Sequence, residues 1–228
     1  MDESLDYLLK YAPQFWSGLL ITLELLITSV ATSVVLSVPL ALARLSPHPW
    51  LRWPAEGYSA LIRGTPALVQ IFLVYFGLGQ FQAVHESFVW PLLRDSFWCA
   101  YIALSLNNVA YIGEVVRGGI QSVPQGEREA ALALGMTPWK MYSRIILPRA
   151  FRQMLPAFSN EVIIQLKTTA LASTVTLLDL TGVGRRLYVK TFTLEPLFIA
   201  GFIYILLSYG ISLSFRLMEH RCNRWQKR

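Results

Sequence analysis

The sequence predicts an all-α integral membrane protein with five transmembrane helices and one long loop that carries a short surface helix. Three observations lead there. Of 228 residues, 54% are hydrophobic and only 15% charged, a balance unlike that of an ordinary soluble domain. The apolar residues gather into runs of about twenty, the length a helix rising about 1.5 Å per residue needs to cross about 30 Å of hydrocarbon. The basic residues sit mainly in short segments between and after these runs.

Five spans are drawn at about 17–43, 58–82, 97–118, 153–178 and 196–217, within a single transmembrane domain covering 1–228, with a long loop over about 119–152. The first, second and fifth are plainly apolar. The third is interrupted by Asn107, Asn108, Tyr111 and Glu114, and the fourth carries Glu161, Gln165 and Lys167. Such spans are too polar to face lipid on every side and are expected to line a protein interior.

The Lys and Arg count sets the orientation, because cytoplasmic segments keep the excess. Lys10 stands alone before the first span and Arg94 alone after the second. The first loop holds Arg44 and Arg52, with Arg63 just inside the next span. The loop after the third holds Arg117, Arg128, Lys140, Arg144, Arg149 and Arg152, and the tail adds Arg216, Arg221, Arg224, Lys227 and Arg228. The expected topology is therefore N-terminus outside and C-terminus in the cytoplasm. Arg185, Arg186 and Lys190 run against this pattern, partly offset by Asp179 and Glu195. Gly182, Gly184 and Pro196 in the same region suggest an ordered re-entrant or surface loop.

The net charge of +6 reads as a topology signal and not as a nucleic-acid patch. Asp2, Glu3 and Asp6 leave no basic region for a cleavable signal peptide, so the first span is expected to be retained. Neither a disulfide nor a metal site is expected from Cys99 and Cys222. His48, His85 and His220 fall in loops or the tail, and no HExxH or nucleophile–base pair lies within a span, so no catalytic residue is assigned. No half of the chain repeats the other, so a two-fold pathway would need a second chain.

The long loop contains Glu129-Ala130-Ala131, three residues, Gly135, nine residues, then Ile145, Ile146, Leu147 and Pro148. Residues 127–134 are rich in helix formers, Gly135 permits a turn, and Pro138 suits the start of a second helix. The pattern resembles the coupling motif of ABC importer permeases, EAA-x3-G-x9-I-x-LP. An ordinary amphipathic surface helix is the alternative reading. Arg63-Gly64-Thr65-Pro66-Ala67-Leu68-Val69-Gln70 and Ala110 through Ile120 (AYIGEVVRGGI) resemble the polar amino-acid branch of these permeases. Lys140-Met141-Tyr142, Ser159-Asn160-Glu161-Val162 and Thr168 through Ser173 are similar to the histidine, arginine/ornithine and octopine/nopaline permeases. The resemblance runs from about residue 17 to 220.

That resemblance implies the type I ABC importer permease fold, with the surface helix serving as a cytoplasmic coupling helix in the inner membrane of a bacterium. It implies a second permease subunit, a different homologous chain by the histidine-like pattern, a cytoplasmic ABC ATPase dimer, a periplasmic substrate-binding protein and an amino-acid substrate. No enzyme activity is expected of this chain. It lacks a GxxxxGK[ST] phosphate loop, so ATP and Mg would be bound by the partner ATPase. The coupling residues would be Glu129, Ala130, Ala131, Gly135, Ile145, Leu147 and Pro148. Ala130 and Ala131 would allow close approach to the ATPase, and Glu129 would offer a charge.

Asn107, Tyr111 and Glu114 stand at i, i+4 and i+7 and share a face of the third span. Glu161, Gln165 and Thr168 repeat that spacing on the fourth, with Asn160 and Lys167 on another face. One stripe would meet substrate and the other a partner subunit. Carboxylates here suit an ammonium group and a cationic side chain, which favours basic substrates. The alternative is that these groups pair with each other, as Glu114 with Arg117 at helical spacing. Glu24, near the outer end of the first span, has a snorkelling reading with a pathway role as the alternative, Pro39 marks a kink or span end, and the aromatics over 72–98 form an interfacial belt and packing surface. A passive channel or secondary transporter is the competing functional class, and the coupling motif argues against it.

Overall fold

The structure is a computed structural model that describes residues 2–222; Arg224, Lys227 and Arg228 of the basic tail lie outside the described residues. Among the described residues, three helices are long and apolar enough to cross a membrane. They are the stretch Lys10–Arg44 of α1 (Asp2–Arg44), α6 (Ser96–Gln121) and α11 (Glu195–Cys222). Two bent pairs bring the number to five when each pair is taken as one span.

The first bent pair replaces the straight second span expected over 58–82. Helix α2 (Pro49–Arg63) meets the helical stretch Ala67–Gln80, which begins with α3 (Ala67–Phe72), at 102°. The cause is local. Pro66 disfavours the helical conformation at Thr65 and cannot donate a backbone N–H. Short helices α4 (Gln82–His85) and α5 (Trp90–Leu93) then lead to α6.

Helix α6 is the most enclosed of the three long helices, with 67% of its apolar window buried against 6% for α11. Asp95 caps it, accepting from Phe97 N at 2.8 Å. Helix α1 packs along it through Ser29, Ser33 and Ser37, all fully buried and four residues apart, the small-residue seam that lets membrane helices approach closely. Ser33 Oγ donates across the seam to Ser105 O at 3.1 Å.

After α6 comes α7 (Gln125–Ala133), then a reversal at Gly135, whose φ of +70° is the left-handed conformation that glycine adopts without strain. Helix α8 (Pro138–Met141) starts at an N-cap Thr137 and runs on through Tyr142–Ile146 into α9 (Leu147–Thr169). The second half of the predicted loop is thus already part of the fourth helical rod. Its apolar face joins Val116, Ile120, Ala131, Met141 and Ile146 in one core cluster.

The region of Arg185, Arg186 and Lys190, expected as a loop, is a regular helix, α10 (Leu180–Thr191). It follows the rod Pro138–Val175 at 48°. Asp179, fully buried, caps it by accepting from Thr181 N at 3.2 Å and Gly182 N at 3.0 Å, and Thr22 Oγ1 accepts from Leu180 N at 3.0 Å. Gly182 and Gly184 weaken helix propensity but are buried against neighbouring backbone, where a side chain at Gly184 would lie 3.2 Å from Pro196 O. Packing therefore overrides the turn signal read from these glycines.

Candidate translocation site

The break at Gly64–Pro66 opens the face of α6 to a cavity of about 410 Å³ that also reaches α9. Non-helical backbone at membrane depth persists only where it is buried or lines a cavity, and here the side chain of Gln70 satisfies it. Gln70 Nε2 donates to Ile62 O at 2.8 Å, Thr65 Oγ1 at 2.7 Å and Thr65 O at 3.2 Å. Its carbonyl Oε1 accepts from Asn107 Nδ2 at 3.0 Å.

Five of the sequence-predicted pathway residues line this cavity: Asn107, Tyr111, Glu161, Gln165 and Thr168. Their readiness for a ligand differs. Gln165 is held in the core, donating to Ser29 Oγ at 3.0 Å and Leu104 O at 3.4 Å. Thr168 Oγ1 donates to Ile164 O at 2.8 Å within its own helix. Glu161 is half-buried, and no cation forms an ion pair with it among the described residues. Asn108 is 2% exposed and its Nδ2 has no hydrogen-bond partner among the described residues. Arg63, at the rim, lies with its guanidinium 5.6 Å from the centre of the Tyr111 ring.

Glu114 and Lys167 are placed elsewhere. Glu114 lies between three guanidiniums: Arg44 from α1, Arg117 from its own helix, and Arg63 at 3.4 Å. The pairing with Arg117 at helical spacing is therefore present, within a larger cluster. Lys167 is exposed on the face of α9 that also carries Asn160. Arg63, Thr65, Asn108 and Gln70 were not assigned to the pathway from sequence. The signal for Arg63, Thr65 and Gln70 is the Gly-Thr-Pro interruption inside an apolar stretch, flanked by an arginine and a glutamine, and that for Asn108 is its place beside Asn107 among the polar residues of the third span.

At the basic end, Glu129 is exposed and accepts from Gln125 Nε2 at 2.9 Å, a bond within α7. Ala130 is exposed, but Ala131 is 1% exposed and packs into the bundle. Ala131 thus fixes α7 to the membrane helices and does not offer close approach from outside. Leu132, Leu134 and Trp139 stand exposed on either side of Gly135. Ile145 is half-buried, while Leu147 and Pro148 are exposed at the start of α9. Glu127 forms an ion pair with Arg149 that ties α7 to α9.

A family described as "Binding-protein-dependent transport system inner membrane component" matches residues 14–224. The chain belongs to this family. Among other members, the octopine transport system permease protein OccM of Rhizobium radiobacter is 48% identical over 204 residues, 89% of this chain and 83% of the relative. The histidine/lysine/arginine/ornithine transport system permease protein HisM of Salmonella typhimurium is 41% identical over 208 residues, 90% and 88% of the two chains. The same fold occurs in a solved structure described as an amino acid ABC transporter with histidines, at 35% identity and a TM-score of 0.84, covering 94% of this chain and 97% of that one. The membership extends over nearly the whole chain.

Proposed function

We propose that this chain is the permease subunit of an ATP-driven bacterial importer for basic amino acids or related opines, and that the cavity at the broken helix holds the substrate during passage. The observation that carries this reading is Glu161, a half-buried carboxylate without an ion-pair partner among the described residues, in the same cavity as the Arg63 guanidinium. A zwitterionic amino acid needs one group of each sign, and Glu161 suits an ammonium or a cationic side chain. The names of OccM and HisM, which concern octopine and basic amino acids, support the same substrate class.

In this reading the basic end is cytoplasmic and the N-terminus periplasmic. A second, homologous permease completes the pathway, a periplasmic binding protein delivers substrate, and an ATPase dimer holding ATP and Mg docks on α7. The exposed Leu132, Leu134 and Trp139 around Gly135 support the last contact, because apolar groups clustered at a projecting turn suit a protein partner. Closure of the ATPase dimer would move α7, and through Ala131 and the Glu127–Arg149 pair the motion would reach α6 and α9, alternating access to the cavity.

The test is purification of the tagged chain in mild detergent from cells that also express its neighbouring genes. Co-purification of an ATPase and a second permease, with loss of the ATPase on Gly135→Arg, supports the reading. Recovery of the chain alone favours a passive channel or secondary transporter.

A further inference from the structure

A second cavity, of about 580 Å³, lies between α1, α2 and α6 on the basic-end side of the first. Arg44, Glu56, Ser59, Arg63 and Tyr111 line it, and it shares Arg63, Gly64 and Tyr111 with the broken-helix cavity. Arg63 and Tyr111 therefore stand as the partition between the two spaces.

Its electrostatics are unbalanced. Three guanidiniums, those of Arg44, Arg63 and Arg117, converge on the single carboxylate of Glu114. Glu56 across the cavity is already paired with Arg52 at 3.8 Å. Two donors on lining residues are enclosed and have no partner among the described residues: Ser59 Oγ, on a residue 2% exposed, and Arg44 Nε; a ligand meets them once the lining opens. Buried donors left unpaired favour an arriving acceptor. Arg63 is the guanidinium free to turn, since its contact to Glu114 is 3.4 Å and its side chain is 41% exposed, against 13% for Arg44.

We propose that this cavity is a second station on the inward path, in which Arg63, with Arg44 and Ser59, holds the carboxylate of the amino acid after it leaves the broken-helix cavity. The inference rests on the reading of that first cavity as the substrate site. The carboxylate takes Arg63 partly away from Glu114, so the substrate itself draws the partition aside. Glu114 keeps Arg44 and Arg117 and holds the cluster together while Arg63 changes partner. Because the two cavities share Arg63, the carboxylate crosses without leaving that guanidinium.

The experiment uses the complete importer in phosphatidylcholine nanodiscs, with reactive cysteines removed and one environment-sensitive fluorophore placed at Ala60→Cys or at Ile164→Cys. Ala60 is exposed and lines only the second of these two cavities, and Ile164 is exposed and lines only the first. L-arginine and L-histidine are titrated, then their carboxamides, then phosphatidylglycerol. The expected result is a saturable response to the amino acids at both positions and a weaker one to the carboxamides at both, since Arg63 meets the carboxylate in each cavity. Ser59→Ala is expected to weaken the Ala60 response about fivefold, the value of one lost hydrogen bond, without changing that at Ile164.

A response at Ile164 with silence at Ala60 overturns the second station and leaves the first intact. So does an Ala60 response that is equal for the carboxamides, or one unchanged by Ser59→Ala. A response at Ala60 to phosphatidylglycerol alone assigns the cavity to a lipid phosphate and also overturns it. Silence at both positions removes the substrate cavity and the second station together.

Discussion

Asn107 on α6 donates its side-chain amide to Gln70 on α3 across 3.0 Å. That bond links the central helix of the bundle to the side chain that caps the broken one. A residue read from sequence as pathway-facing is thus also part of the support for the helix break.

Replacing Gln70 with leucine removes the caps on Ile62 O and Thr65 O. Partly buried carbonyls left in this way cost about 1 kcal/mol, the lower end of the range for a buried group. Thermal unfolding of the detergent-solubilised importer should shift downward by several degrees, and substrate uptake should fall with it. An unchanged midpoint would mean that the break is supported by something other than Gln70.

Glu161→Gln keeps the shape of the cavity and removes its charge. Hydrogen bonds to charged groups are worth about 1.5–3 kcal/mol, so affinity for L-arginine should fall about 10- to 100-fold. The amount of chain inserted in the membrane should not change. Radioligand binding to the reconstituted complex checks the first point and quantitative immunoblotting of membranes the second.

How much of this was legible in the sequence depends on the range of the interaction. Apolar runs locate helices but are blind to direction, so 58–82 reads as one span although Gly64-Thr65-Pro66 turns it by 102°. Helical spacing places Asn107, Tyr111 and Glu114 on one face, and the first two line the same cavity, yet seven residues are about 10 Å along the axis. Glu114 therefore falls at a different level, where Arg44 and Arg63 arrive from distant parts of the chain. The same limit hid the burial of Ala131, because its neighbours Val116, Met141 and Ile146 belong to other helices. The glycine reversal needs no distant partner, and Gly135 was readable directly.

Glu114→Gln should destabilise the chain, since it leaves three partly buried guanidiniums without their counter-charge. Breaking a buried pair costs about 3–5 kcal/mol, and the 41% exposure of Arg63 places the loss toward the lower figure. Adding Arg44→Gln removes the least exposed cation and should restore part of the stability. A double variant that unfolds no later than the single one would contradict this arrangement.

Gly135→Val should release the ATPase with the membrane helices still folded, because a β-branched residue at φ +70° is strained by about 1–2 kcal/mol. Asparagine tolerates that conformation, so Gly135→Asn should retain the ATPase. Co-purification of both variants with the ATPase distinguishes a backbone requirement from a need for mere smallness.

The most direct measurement is uptake of labelled L-arginine, L-histidine and octopine into proteoliposomes containing the complete complex, with and without internal ATP and external binding protein. At least one of these should accumulate above its external concentration only when both are present, and Glu161→Gln should reduce that accumulation. Uptake that ignores ATP and stops when concentrations are equal would contradict the account and make the chain part of a passive pathway.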